Sequence, residues 1–225
     1  LGIKYIELYP GQQISPEIKE KTSQNLSDEM IAKLKAKLDS AGVKAVCFGV
    51  VGLGTNEALN RKVFEFARKM GIETIVSEPN FEAIAGIDKL CEEYKINVAL
   101  HNHPKPSRYW DPAVVLQKTA DASKRIGSCA DTGHWYRSGL KPVECLKMLE
   151  GRIVSLHFKD LSPEKRDVPW GTGLCDAKAM LAELQRQKLQ AVFSIEYETG
   201  TVEQLLVNIP KCIEFFEGQA KELAK

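Results

Sequence analysis

Short apolar runs alternate with helical stretches along almost the whole chain. Seven of these runs are predicted to be strands, at residues 3–9, 43–51, 72–78, 96–103, 127–131, 153–159 and 191–197. Most are continuously apolar, which is typical of strands that are buried on both faces of a parallel sheet. Strand–helix alternation with short connections therefore predicts parallel strands joined by helical crossovers.

The helical stretches have recognisable ends. Ser27 is predicted to cap the first helix, which Gly42 ends, and Thr55 is predicted to open a second helix that stops at Gly71. The last helix contains Pro210, which is expected to kink or split it. Further helices are predicted to begin at Asp111-Pro112, Lys141-Pro142, Asp176 and about Val202.

Two architectures fit this alternation, an open doubly wound sheet and a (β/α) TIM barrel. No Gly-x-Gly-x-x-Gly motif follows the early strands, so a dinucleotide-binding fold has no support. A barrel needs eight strands, and a missing first βα unit of roughly 25–30 residues would complete it. We therefore expect a single TIM-barrel domain over residues 1–225, with the first βα unit and any targeting segment missing upstream.

The composition of the chain indicates which classes of binding partner and which cellular location to expect. Lys and Arg total 31 and Asp and Glu total 30, so the net charge of +1 argues against nucleic acid, and no apolar run is long enough to cross a membrane. The six cysteines are scattered without a Cys-x-x-Cys pair, which is typical of reduced core residues. A cytoplasmic location is expected, and a homo-oligomer is compatible with the sequence.

All four histidines fall at the C-terminal end of a predicted strand or just after it. They are His101, His103, His134 and His157. In a barrel these ends converge on one rim, where active sites are built. His101 and His103 share a strand face, so both could bind a metal, or one could bind the metal while the other contacts the substrate.

Acidic and basic residues accompany the histidines. Asp131 ends an apolar strand, where an unpaired carboxylate would be costly, and Glu196 lies in another apolar run. Lys159 shares a face with His157 and suits an anionic oxygen, or else forms an ion pair with Asp160 or Glu198.

Three more residues are weaker candidates. Glu78 is a candidate acid–base group or substrate contact, and Glu7 is a candidate substrate contact. Trp170, in a glycine-rich loop, could cover a sugar face or hold the loop together.

This His, Asp and Glu set suits one divalent ion such as Mn²⁺, Zn²⁺, Co²⁺ or Fe²⁺. Such an ion polarises a carbonyl and a neighbouring hydroxyl and so acidifies the C–H group between them, and a flanking carboxylate or imidazole then moves that proton. Epimerisation, aldose–ketose isomerisation and β-elimination all follow this logic. Candidate catalytic residues are Glu196, His101, Lys159 and Glu78.

Four motifs resemble the xylose-isomerase-like sugar phosphate isomerase/epimerase superfamily of TIM barrels, which includes ketose epimerases, inosose dehydratase and endonuclease IV. They are His101-Asn102-His103, Asp131-Thr132-Gly133-His134, His157-Phe158-Lys159-Asp160 and Ile195-Glu196-Tyr197-Glu198. The resemblance implies one divalent metal on four strand-end residues, of which Asp131, His157 and Glu196 match three.

His134 matches a substrate-contacting position, and His103, Trp170, Glu7 and Glu198 are further candidates for substrate binding. The chain departs from the family pattern at His101, because ketose epimerases carry a metal-binding glutamate at that position. We assign His101 as the fourth metal ligand. The leading hypothesis is a metal-dependent isomerase or epimerase of a small keto-sugar. The alternatives are a lyase or hydratase on a keto-sugar or cyclitol, and a non-catalytic sugar-binding barrel.

Overall fold

A computed structural model describes residues 1–224 of the chain. The chain divides into two compact units. We call residues 2–101 and 117–127 the N-terminal unit, and the chain from residue 128 onward, with residues 1 and 102–116, the C-terminal unit. The expectation of one domain over the whole chain stays a prediction.

The N-terminal unit contains four parallel strands, each paired with the next along the chain. The strands are β1 (Tyr5–Leu8), β2 (Lys44–Phe48), β3 (Thr74–Ser77) and β4 (Asn97–His101). The helices between them are α1 (Asp28–Ser40), α2 (Glu57–Met70) and α3 (Ile84–Tyr94), with a 3-10 turn at Phe81–Ala83. Strand residues pack on the helices in the core, where the rings of Phe48 and Phe66 lie 4.9 Å apart.

Helix α4 (Pro112–Lys118) precedes β5 (Ile126–Asp131) in the chain. In the C-terminal unit, β5 pairs in parallel with β6 (Ile153–Phe158), and β6 pairs with β9 (Val192–Ile195). A short antiparallel hairpin, β7 (Asp160–Leu161) and β8 (Asp167–Val168), follows β6. The helices of this unit are α5 (Thr132–Arg137), α6 (Pro142–Met148), α7 (Ala177–Arg186) and α8 (Val202–Leu223). Among residues 1–224, no helix is both long and apolar enough to cross a membrane.

All seven predicted strands are present, each within two or three residues of its predicted ends. The predicted cap of α1 is confirmed, since the Ser27 side chain accepts a hydrogen bond from the backbone of Met30 at 3.2 Å. The predicted start at Thr55 was wrong by one residue, because Asn56 is the cap and its side chain accepts from Leu59. Gly71 ends α2 in the left-handed conformation, as predicted.

The expected split of the last helix at Pro210 was wrong, because α8 runs without a break over 22 residues. A proline removes only one helical hydrogen bond, and both halves of α8 have other support. Thr201 and Gln204 form a capping box at the start. In the second half, Phe216 packs against Phe193 with 5.5 Å between ring centroids.

All six cysteines are buried, and none is in a disulfide. Burial raises the pKa of the thiols of Cys91, Cys145 and Cys175 to about 12. A thiol with a raised pKa stays protonated below that pH, and the thiolate is the reactive form. We therefore expect almost no reaction with Ellman's reagent at pH 8 in the native protein, and six equivalents after unfolding in guanidinium chloride. Rapid native labelling would contradict this picture of the core.

Candidate metal centre

Asp131 is the last residue of β5, and its carboxylate is fully buried. One oxygen, Oδ1, caps α5 by accepting a hydrogen bond from the backbone of His134 at 2.7 Å. Asn102 fixes the backbone here, because its side chain donates to the carbonyl of Asp131 and accepts from its amide, both at 2.9 Å. The end of β5 is therefore held from two sides. The role of Asn102 in fixing the backbone of Asp131 is one that sequence reasoning missed.

The pairing of β5, β6 and β9 brings three predicted ligands together in the C-terminal unit. Asp131 lies opposite His157 in the register of β5 and β6, and Glu196 directly follows β9. One ligand atom from each of these three residues lies within 4.8 Å of the others. The Nδ1 atom of His157 contacts Oε2 of Glu196. We call Asp131, His157 and Glu196 the ligand trio.

The side chain of Lys159 is completely buried beside this trio. Its Nζ atom lies 3.2 Å from Oδ2 of Asp131, 3.2 Å from Oε1 of Glu196 and 2.7 Å from Oε2 of Glu198. Burial alone would lower the pKa of Lys159, but the three carboxylates outweigh it and raise that pKa above its ordinary value. Lys159 is therefore a fixed positive charge and cannot serve as a base near neutral pH.

The glutamates are ionised as well. Burial opposes the charged form of Glu196, but His157 and Lys159 more than compensate and lower its pKa. The hydrogen bond from Lys159 likewise lowers the pKa of Glu198 in spite of its partial burial. Three carboxylates around one ammonium group leave a formal charge of two negative units.

The donor chemistry fits a divalent ion. The ligand trio offers two carboxylates and one imidazole, the mixed oxygen and nitrogen set that suits Mn²⁺, Zn²⁺, Co²⁺ or Fe²⁺. A divalent cation would also balance the excess negative charge in a buried place, where uncompensated carboxylates are costly.

The N-terminal unit holds a second pair of predicted site residues. His101 ends β4 and is buried, and its Nδ1 atom lies 2.9 Å from Oε1 of Glu78, just after β3. When Nδ1 carries the proton and donates a hydrogen bond to Glu78, the other ring nitrogen has the lone pair that can bind a metal. Carboxylate–histidine pairs of this kind orient metal ligands in many proteins. The contact suggests a positioning role for Glu78 beside the predicted acid–base role.

The remaining candidates lie in different surroundings. Glu7 is half-buried in β1 of the N-terminal unit, and His103 is exposed, with its ring 5.3 Å from that of His134. Trp170 is only 3% exposed and packs on Phe158 with 4.5 Å between ring centroids. This packing favours the interpretation that Trp170 holds its loop over the one in which it covers a sugar.

The sequence suggests two ion-pair partners for Lys159. Glu198 forms this ion pair, and Asp160 does not. The carboxylate of Asp160 instead accepts four backbone hydrogen bonds at 2.9–3.0 Å, from Leu161, Gly171, Gly173 and Cys175. Gly173 lies so close that an added Cβ atom would sit 2.3 Å from Oδ1 of Asp160. Asp160 therefore anchors the loop that carries Trp170. A sequence gives no signal for such an anchor, because its partners are backbone groups.

Comparisons with known proteins place the chain in a family. Residues 1–217 match the model of the xylose isomerase-like TIM barrel. A solved structure of an uncharacterized protein from Parabacteroides distasonis is 34% identical, with a TM-score of 0.77, over 96% of this chain and 88% of that one. A search of curated protein sequences finds no match.

More distant solved structures share the fold. A D-tagatose 3-epimerase-like protein is 19% identical with a TM-score of 0.76, over 100% of this chain and 91% of that one. The probable 3-DHS dehydratase AsbF of Bacillus anthracis is 15% identical with a TM-score of 0.70, over 95% of this chain and 89% of that one. The TIM-barrel class predicted from strand–helix alternation is thus confirmed, and the chain belongs to the xylose isomerase-like TIM-barrel family.

Proposed function

We propose that the protein is a divalent-metal-dependent isomerase or epimerase of a small keto-sugar. The observation that carries this proposal is the burial of Lys159 among Asp131, Glu196 and Glu198, beside His157. This arrangement combines a mixed metal-ligand set with a permanent positive charge, and each can stabilise the negative charge that an enolisation develops. Membership of the family supports the same reaction class.

In this proposal Asp131, His157 and Glu196 hold the ion, which supplies a Lewis acid for a substrate carbonyl when it is bound. The ammonium group of Lys159 is held by three carboxylates, so its positive charge acts through space on the negative charge that develops on the substrate oxygen during enolisation. Glu198 is half-exposed and ionised, so it can accept the proton from the carbon next to the carbonyl and return it. Glu196 is the alternative base, in line with its assignment from the sequence.

We further propose His101 as a fourth ligand, with Glu78 as its positioning partner. The proposal rests on the place of His101 in the family motif and on its contact with Glu78. We expect Glu78→Gln to weaken metal binding by about 10- to 100-fold, the usual effect of losing an outer partner of a ligand histidine, and His101→Asn to weaken it more. Titration calorimetry with Mn²⁺ would check both variants, and unchanged affinity in His101→Asn would remove His101 from the ligand set.

A lyase or hydratase is the second candidate. It is favoured by His101, which stands where ketose epimerases carry a glutamate, and by the fold shared with a probable dehydratase. Loss of water from a keto-sugar uses the same proton abstraction and then expels a hydroxyl group. The two candidates differ in their products, because dehydration creates an unsaturated carbonyl that absorbs in the ultraviolet.

One experiment separates these functions. The Mn²⁺-loaded protein is incubated in D₂O with a panel of ketopentoses, ketohexoses and 3-keto-glucosides, each followed by NMR and ultraviolet absorption. An epimerase or isomerase exchanges the proton next to the carbonyl without losing water, and a lyase produces the absorbing product. Binding without exchange or product would leave the non-catalytic sugar-binding barrel as the better interpretation.

The same assay tests the base. If Glu198 is the base, the Glu198→Gln variant should exchange the proton at least about 100-fold more slowly than the wild type.

A further inference from the structure

Arg137, the last residue of α5, contacts His134 in a way that bears on the chemistry of the imidazole. Its Nη1 atom lies 3.0 Å from Nδ1 of His134, on the preceding turn of the same helix. A guanidinium group is always protonated and has only donors. Nδ1 must therefore accept this hydrogen bond, which requires its lone pair to be unprotonated. The ring proton of a neutral His134 is then on Nε2.

The guanidinium group is itself held in place. Its Nη2 atom donates to Oδ1 of Asp167 at 3.3 Å, and Nε donates to the carbonyl of Lys165 at 3.3 Å. The Asp167 carboxylate is almost completely buried, and its other oxygen accepts from the backbone of Glu198 at 3.0 Å and the hydroxyl of Thr199 at 2.8 Å. Nη1 also lies 3.4 Å from Oε2 of Glu198, so three groups besides His134 hold the guanidinium group in place.

The opposite edge of the imidazole is directed at the ligand trio. Nε2 of His134 lies 3.5 Å from Oδ2 of Asp131, beyond ordinary hydrogen-bond length. His134 is buried, so its ring has little freedom to turn. With its proton on Nε2, this edge of the ring presents an N–H donor on the side where Asp131 lies.

We infer that Arg137 is a positioning residue that fixes the Nε2-protonated tautomer of His134, and that His134 donates a hydrogen bond to a carbonyl or hydroxyl oxygen of the substrate. The donor role rests on the proposed function, whereas the tautomer does not. Asp167 takes part by holding Arg137 and by fixing the backbone of Glu198. Recognition at this point is then for an oxygen that can accept a hydrogen bond, and a group that can only donate, such as an ammonium, is rejected.

The tautomer is tested by two-bond ¹H–¹⁵N NMR spectra of the ¹⁵N-labelled, zinc-loaded protein at pH 8, with His134→Gln used to assign the signals. We expect His134 to show an unprotonated Nδ1 and a protonated Nε2. Arg137→Met should lose this pattern, and Arg137→Lys should restore it, because an ammonium group is also only a donor. The opposite tautomer in the wild type, or the same pattern in the wild type and Arg137→Met, would overturn the inference.

Activity gives the second readout, with deuterium exchange as the assay. We expect Arg137→Met to lower kcat by about 10- to 100-fold with a smaller change in KM, and Arg137→Lys to recover part of the loss. Arg61→Met is the matched control, since Arg61 lies in α2, is ion-paired with Glu57 of the same helix and Glu93 of α3, and has no contact with His134. If the wild type shows no deuterium exchange, the proposed function is rejected, and the tautomer of His134 is then decided by the NMR spectra alone. An unchanged kcat in Arg137→Met would reject the positioning role.

Discussion

Replacing Asp131 by asparagine is expected to abolish stable binding of a divalent ion while leaving the fold intact. Asparagine can still accept the hydrogen bond with which Asp131 caps α5, so the substitution removes the charge and retains the cap. We expect the affinity for Mn²⁺ to fall by more than about 100-fold, beyond the effect of losing an outer partner of a ligand. Plasma mass spectrometry of bound metal and calorimetric titration would measure it.

Asp176→Asn is the matched control, because Asp176 caps α7 in the same manner and lies in the same unit. It should bind as much metal as the wild type. Equal metal content in Asp131→Asn and the control would refute the ligand trio. If the wild type also binds none of Mn²⁺, Zn²⁺ or Co²⁺, the proposed mechanism fails with it, and a metal-free binding protein becomes the better hypothesis.

Lys159→Met is expected to cause the largest loss of stability of any single substitution at the centre. It leaves Asp131, Glu196 and Glu198 close together without their shared cation, and breaking a buried ion pair costs about 3–5 kcal/mol. Denaturant unfolding of the metal-free protein at pH 7 would measure it. The loss should shrink when Mn²⁺ is added, because the ion replaces part of the missing charge.

The pH dependence of this effect has a definite sign. The pKa of Lys159 is raised in the folded protein, so the stability linked to the titration of Lys159 itself is fully present below pH 10.5 and is lost as the pH rises beyond it. In Lys159→Met the unpaired carboxylates become easier to protonate, so its stability should improve relative to the wild type as the pH falls from 7 to 5. Lys178→Met, which breaks an exposed pair with Glu222, should have a small effect at every pH. A Lys159→Met protein as stable as this control would contradict the electrostatic account.

The position of the ligand trio could be predicted from sequence because parallel strands end at a common edge. Asp131 and His157 each close an apolar run, and the register of β5 and β6 then places them opposite one another. The strand ends and the chemical nature of the residues indicated the cluster, and the resemblance to the family motifs singled out these three residues as ligands. Glu198, which forms an ion pair with Lys159, was likewise one of the two acidic partners that the sequence suggested.

Other features depend on contacts that no local pattern encodes. Asn102 bonds to the backbone of Asp131, and the environment of Trp170 depends on Phe216, which comes from the last helix. Helix α3 was missed because its ends lack the usual signals. No side chain caps its first turn, and Lys95 takes the left-handed position where a glycine is expected. The hairpin β7–β8 has only two residues in each strand, too few to give a pattern.

The anchoring of a loop by Asp160 has a consequence for how new specificities arise in such a protein. Its carboxylate binds four main-chain amides, so the shape of the segment from Leu161 to Cys175 depends on one side chain and on the space left by Gly173. Side chains at the exposed tip, between β7 and β8, can then mutate without loosening the framework. Directed evolution that randomises Pro163, Glu164 and Arg166, while Asp160, Lys165 and Gly173 are kept, would sample many loop tips on one unchanged framework.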